Sequence, residues 1–179
     1  RIGSPEKRHE LLLSAFAAVA DAFPSWTLRF VGNVEPAFEE LVRTFLTKRP
    51  DLEKRVVFTG LIRDKERLFE EYRQAKVFAL TSFKEGMPNV VAEALFGGCY
   101  MVSSDVDASS DMVDGGACGE IFPIDDEAAL TSLLVRLLGD EARIWQGGER
   151  AMAYGRETFD FTRIIRRLHY LLWEGGDRA

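Results

Sequence analysis

Cysteine is scarce in this sequence and carries no pattern. Cys99 and Cys118 stand far apart and outside any Cys-x-x-Cys or Cys/His spacing, which excludes a disulfide scaffold, a zinc ribbon and a dithiol redox motif. They read as two reduced, buried thiols. No stretch approaches the roughly 18 uninterrupted apolar residues of a membrane span, and the first residues lack the charged-then-apolar layout of a signal peptide. Basic residues are in the minority: 23 Lys and Arg face 29 Asp and Glu, a net charge of -6. That balance argues against a broad nucleic-acid-binding surface and leaves room for a local basic pocket. The sequence has no Gly-x-Gly-x-x-Gly fingerprint, which disfavours a nicotinamide dinucleotide site. Ser103-Ser104 and Ser109-Ser110 have no nucleophile-elbow context, so a hydrolase triad is rejected. His9 and His169 have no Cys, Asp or Glu at zinc-like spacing and read as packing or solvent histidines; no metal site is implied.

What is present is an ordinary globular composition, 46% hydrophobic and 29% charged over 179 residues, enough for one core. Ser4-Pro5 is a helix-start signal, with the hydroxyl expected to cap free amides and proline at the first helical position. A helix follows from about Pro5 to Asp21, then a strand from Trp26 to Val31. The period repeats as a helix over Pro36 to Arg49 and a short apolar strand over Arg55 to Thr59. Asp64 caps a third helix, Val77 to Leu80 reads as a strand buried on both faces, and Asn89 to Phe96 is a helix ended by Gly97 and Gly98. Tyr100 to Ser103 is the next strand, and the alternation runs on through Ser109 to Val113 and Gly119 to Phe122. Three helices close the chain, over Glu127 to Leu138, Glu141 to Arg156 and Phe161 to Trp173.

Strands alternating with helices through short connections make the fold class doubly wound α/β: a parallel, Rossmann-like sheet with helices on both faces and extra C-terminal helices. Such sheets bind ligands beyond the carboxyl ends of their strands, where helix N-termini present free amides to anions. The loop after the Val77 strand is the one that carries chemistry. Glu85 stands before the helix and Glu93, eight residues on, lies about one turn inside it. Gly86 lets the backbone approach a ligand closely, and the amides of Met87, Asn89 and Val90 point from the helix start. Those amides suit a diphosphate. A carboxylate further in suits the paired hydroxyls of a ribose.

The segment Glu-Gly-Met-Pro-Asn-Val-Val-Ala-Glu-Ala, Glu85 to Ala94, resembles the signature of the retaining, GT-B-type glycosyltransferases of family 4, the glycosyl transferases of group 1. Phe58-Thr59-Gly60 is similar to that family's strand-ending Phe-x-Gly, and Arg1 and Lys7 have the spacing of its phosphate-binding arginine and lysine. The resemblance covers essentially the whole chain. It departs at Gly98-Cys99-Tyr100-Met101-Val102, where the family usually has Gly-x-Pro-Val-Val, and at Asp107-Ala108-Ser109-Ser110-Asp111, where a Gly-Gly then Pro-Glu segment is common.

The resemblance implies a donor-binding C-terminal domain over 1–179, one half of a GT-B fold in a hexosyltransferase of polysaccharide or glycolipid biosynthesis. Arg1, Lys7 and the amides around Asn89 and Val90 would bind the donor diphosphate and Glu93 the ribose; Glu85, with the Gly86 and Met87 backbone, would face the sugar. The donor is a nucleoside-diphosphate sugar and no separate cofactor is implied. An N-terminal acceptor domain and a first strand are expected before Arg1, so the chain is expected to be cut from something longer. As it stands, it should bind a nucleotide weakly and transfer no sugar. The expected location is cytoplasmic, any contact with the inner face of a membrane being made through that other half. The rival reading is a non-catalytic interaction or regulatory domain on the same fold.

Overall fold

The alternation read from the sequence appears in the computed structural model as five short strands and seven helices, in a structure that describes residues 1–160 together with Ile165 and His169. The strands are β1 (Leu28–Val31), β2 (Val56–Gly60), β3 (Val77–Leu80), β4 (Tyr100–Ser104) and β5 (Gly119–Phe122). The helices are α1 (His9–Val19), α2 (Pro36–Lys48), α3 (Lys65–Gln74), α4 (Asn89–Gly97), α5 (Ser109–Met112), α6 (Glu127–Leu138) and α7 (Glu141–Thr158). Asp64, Asp126 and Asp140 start α3, α6 and α7, each side chain accepting a backbone N–H three residues on. The helix expected over Phe161 to Trp173 lies outside the described residues, apart from Ile165 and His169.

All strand pairings are parallel, as a fold with crossover helices requires, but they form two sheets: β1 with β2, and β3-β4-β5. One core joins them. Leu12, Leu13 and Phe16 of α1 pack with Phe30 of β1, Tyr100 and Val102 of β4, and Leu130, Leu133 and Leu137 of α6. On the opposite face of the second sheet, Met101 of β4 packs with Val91, Ala94 and Leu95 of α4 and Ala151 of α7. Successive side chains of β4 thus enter opposite layers, and every residue of that strand is buried. The expectation of burial on both faces belongs to β4 rather than to β3. Val77, Phe78 and Ala79 are only half-buried, because β3 ends its sheet and no strand pairs with its outer edge.

The first expected helix is interrupted. Pro5–Lys7 forms a single 3-10 turn, Arg8 takes the left-handed conformation at φ 50°, and α1 begins at His9. Tertiary pairing causes the break: the Phe83 amide donates to the Glu6 carbonyl at 3.0 Å, and the Thr81 hydroxyl lies 2.8 Å from the Lys7 carbonyl. These bonds draw the segment toward the end of β3 and away from helical continuity. Ser4 does not cap it; its hydroxyl turns back toward the Arg1 carbonyl, 3.5 Å away. The far end of α1 is closed by a side chain from another element. The Arg55 guanidinium donates to the carbonyls of Ala20 (2.9 Å), Phe23 (2.7 Å) and Trp26 (3.0 Å), a cation where the helix dipole is negative.

Candidate functional site

The carboxyl end of β3 and the first turn of α4 build the site. Thr81 and Ser82, the residues that follow β3, are both buried, so their polar atoms require partners. The Thr81 hydroxyl lies 2.8 Å from the Lys7 carbonyl and 3.1 Å from that of Arg8. The Ser82 carbonyl accepts from the Ser104 hydroxyl, tying the ends of β3 and β4, and the Ser82 hydroxyl donates to Glu85 Oε1 at 2.9 Å. The same carboxylate oxygen accepts from Lys7 Nζ, forming an ion pair between residues 78 apart in sequence. The Glu85 side chain keeps only 12% of its exposure. These two partners offset the cost of withdrawing that carboxylate so far from water.

Beyond Glu85 the loop opens outward. A β-carbon on Gly86 would meet no atom within 4 Å, and the Met87 and Val90 side chains are exposed. Pro88 precedes α4 without a side-chain cap, and the amides of Asn89 and Val90 have no acceptor among the described residues. Those amides form the positive end of α4 on the same loop as the Lys7–Glu85 pair. Glu93, one turn in, is held separately: its Oε2 accepts from the phenol of Tyr72 on α3 at 2.9 Å.

Arg1 is not brought to Lys7. Its Nε lies 3.2 Å from Glu35 Oε1, and the side chain is 71% exposed. The loop it belongs to is anchored by His9, whose Nδ1 accepts the Gly3 amide at 3.0 Å while its ring packs against Phe30 and Phe38. Burial, helped by the positive charges of the N-terminus and Lys7, pushes the His9 pKa down to about 4, so the ring is neutral and free to accept. The packing reading of this histidine holds. Sequence reasoning missed its hydrogen bond, the hydroxyls of Thr81 and Ser82, the Tyr72–Glu93 contact, and an ion pair from Arg8 Nε to Asp125 Oδ1 at 2.6 Å. Most of these join residues distant in sequence and so have no local signal; the Ser82–Glu85 and Gly3–His9 bonds are local, three and six residues apart, and depend on the loop conformations that the tertiary contacts impose. The cysteines are free and buried, their thiols pushed up to about 12 by burial. Among the described residues no group of three or more His, Cys, Asp or Glu side chains is placed to hold a metal ion.

The family model for glycosyl transferases group 1 matches residues 1–140, and the chain belongs to that family. It is 30% identical over 159 residues to a phosphatidyl-myo-inositol mannosyltransferase of Mycobacterium leprae, a match covering 88% of this chain and 40% of the relative. It is also 30% identical over 172 residues to an exopolysaccharide phosphotransferase of Streptomyces coelicolor, covering 95% of this chain and 18% of that protein. The chain therefore spans well under half the length of these relatives. Among solved structures, sucrose-phosphate synthase of Thermosynechococcus elongatus superposes with a TM-score of 0.80 at 26% identity, over 94% of this chain and 42% of that one. Anabaena HepE in complex with UDP gives a TM-score of 0.78 at 23% identity, over 96% and 46%. The α/β, Rossmann-like fold of parallel sheets and flanking helices is shared with these GT-B glycosyltransferases.

Proposed function

We propose that this chain is the donor-binding, C-terminal domain of a retaining glycosyltransferase that moves a hexose from a nucleoside-diphosphate sugar to an acceptor hydroxyl. The observation that carries the reading is the Lys7–Glu85 pair set on the same loop as the unpartnered amides of α4, with a second carboxylate one turn inside that helix. HepE, which shares the fold, binds UDP, and in a second structure UDP and glucose. Here the amides of Asn89 and Val90 and the Lys7 ammonium receive the diphosphate, and Arg1 leaves Glu35 to join them. Glu93 accepts the ribose hydroxyls. Glu85 and the Gly86–Met87 backbone face the sugar near its anomeric carbon.

The chemistry asked of these groups is electrostatic. As the bond from the anomeric carbon to the diphosphate breaks, negative charge grows on the departing oxygen, and fixed positive groups lower the barrier without reorganising. Before the donor arrives, Lys7 is neutralised by Glu85. Diphosphate binding draws the ammonium toward phosphate and frees the carboxylate for the sugar, so a single exchange prepares both groups.

The acceptor domain belongs to the part of the relatives' length that this chain does not match. On this reading the chain alone binds nucleotide and transfers no sugar, and the whole protein works in the cytoplasm, meeting any membrane through its other domain. Among the described residues no helix is long and apolar enough to cross a membrane.

Titration calorimetry with UDP and GDP tests the proposal. Lys7→Ala should weaken the diphosphate by about 1–3 kcal/mol, the scale of a charge-assisted hydrogen bond, and leave the nucleoside unaffected. Equal losses for both ligands would indicate damage to the fold, and no binding of either diphosphate would favour the non-catalytic interaction domain.

A further inference from the structure

Glu93 receives no hydrogen bond from its own helix. The positions one turn away on α4, namely Asn89, Val90, Phe96 and Gly97, leave it unpartnered, and its orientation comes from α3 through the Tyr72 phenol. Tyr72 is in turn fixed at its base. A β-carbon on Gly97 would stand 2.6 Å from Tyr72 Cβ and 3.0 Å from its carbonyl carbon, so α4 approaches α3 closely only because residue 97 lacks a side chain. The Cys99 thiol donates to the Tyr72 carbonyl at 3.3 Å, and the ring tilts against Phe78 with centroids 6.1 Å apart. Burial first, and then the hydrogen bond to Glu93, raise the phenol's pKa, which keeps it a neutral donor. The contact occupies one lone-pair direction of Oε2. Oε1 has no partner among the described residues.

We infer that Tyr72 is a positioning residue for Glu93: it aims the carboxylate so that Oε1 and the remaining face of Oε2 meet the two hydroxyls of a ribose, and it thereby sets a preference for ribonucleoside over 2′-deoxyribonucleoside diphosphates. A carboxylate on a long, freely rotating side chain would accept from one hydroxyl nearly as well as from two, at the cost of ordering itself for each ligand. Clamping one oxygen removes that freedom in advance. It also makes the second hydroxyl count. The inference rests on the donor-site reading of Glu93.

The test measures dissociation constants of the 179-residue chain for UDP and GDP, each paired with its 2′-deoxy counterpart, in the wild type, Tyr72→Phe, Glu93→Ala and the double variant. Phenylalanine keeps the ring against Phe78 and removes only the donor. The expected result is that Glu93→Ala brings the deoxy-to-ribo ratio close to one. Tyr72→Phe should lower the ratio about three- to fivefold, and have no further effect once Glu93 is alanine, as coupled residues do. If Glu93→Ala lowers the ratio and Tyr72→Phe does not, or if Tyr72→Phe weakens both sugars equally, the positioning role is overturned while the donor site stands. A ratio near one in the wild type, a ratio that Glu93→Ala leaves unchanged, or a failure of both diphosphates to bind overturns the donor-site reading and this inference with it.

Discussion

The loop before α4 and the second turn inside it each present one carboxylate, and the molecule holds them by opposite means. Glu85 is bound by a cation from the start of the chain and by a hydroxyl from the end of β3. Glu93 is bound by a neutral phenol from a neighbouring helix. A carboxylate paired with an ammonium must exchange that partner before it meets a ligand, whereas one held by a phenol has no counter-charge beside it to give up. Under the donor-site proposal, the two glutamates of one motif, eight residues apart, serve different steps: Glu85 waits for the diphosphate and Glu93 is ready beforehand.

The sharpest way to break that contrast is to remove each carboxylate. In the protein carrying both domains, Glu85→Ala should lower kcat by about a hundredfold or more, the order seen when a transition-state contact is lost, while the diphosphate binds at least as well because Lys7 is set free. Steady-state kinetics together with nucleotide titration would show it. If instead Glu85→Ala abolishes diphosphate binding while Glu93→Ala leaves it intact, the two roles are reversed.

A smaller effect concerns the segment that delivers Lys7. His9 has a folded pKa of about 4, below the ordinary value of 6.5, so the unfolded chain binds the extra proton between those values and stability falls with acidity across that window. From pH 7 to pH 5 the wild type should lose about 2 kcal/mol more than His9→Gln, which cannot titrate. Urea unfolding at the two pH values measures this, and equal losses would mean that the ring is already protonated in the fold. Smaller still is Thr81→Val, which keeps the shape and removes the hydroxyl that meets the Lys7 and Arg8 carbonyls. Its cost in unfolding free energy should be about 1 kcal/mol. The Lys7 contribution to diphosphate affinity should fall with it, whereas nucleoside affinity should not.

Much of this architecture was legible because it is local. The alternation of elements, the capping aspartates and the glycines that end α4 follow from residues close in sequence, and so did the loop and helix that carry Glu85 and Glu93. What escaped was assembled by tertiary contact. Arg8 is left-handed because Thr81 and Phe83 claim the carbonyls beside it, and no residue near Arg8 announces that. Val77 to Leu80 looked like a central strand from its apolar run alone, yet pairing rather than composition decides centrality, and β4 took that place. Arg1 and Lys7 fit one spacing and face different partners, because Glu35 lies beside the first and Glu85 beside the second.

The Arg55 clasp on the end of α1 bears on which parts of the chain loosen together. The carbonyls of Ala20, Phe23 and Trp26 belong to the first quarter of the sequence, but the guanidinium that satisfies them opens β2, about thirty residues later. The Ala20 and Phe23 carbonyls also accept the Phe23 and Trp26 amides at 3.2 Å, whereas the Trp26 carbonyl is met by Arg55, so the segment after α1 is fully satisfied only with the start of β2 in place. Loss of that clasp should therefore loosen the end of α1 and the start of β2 together.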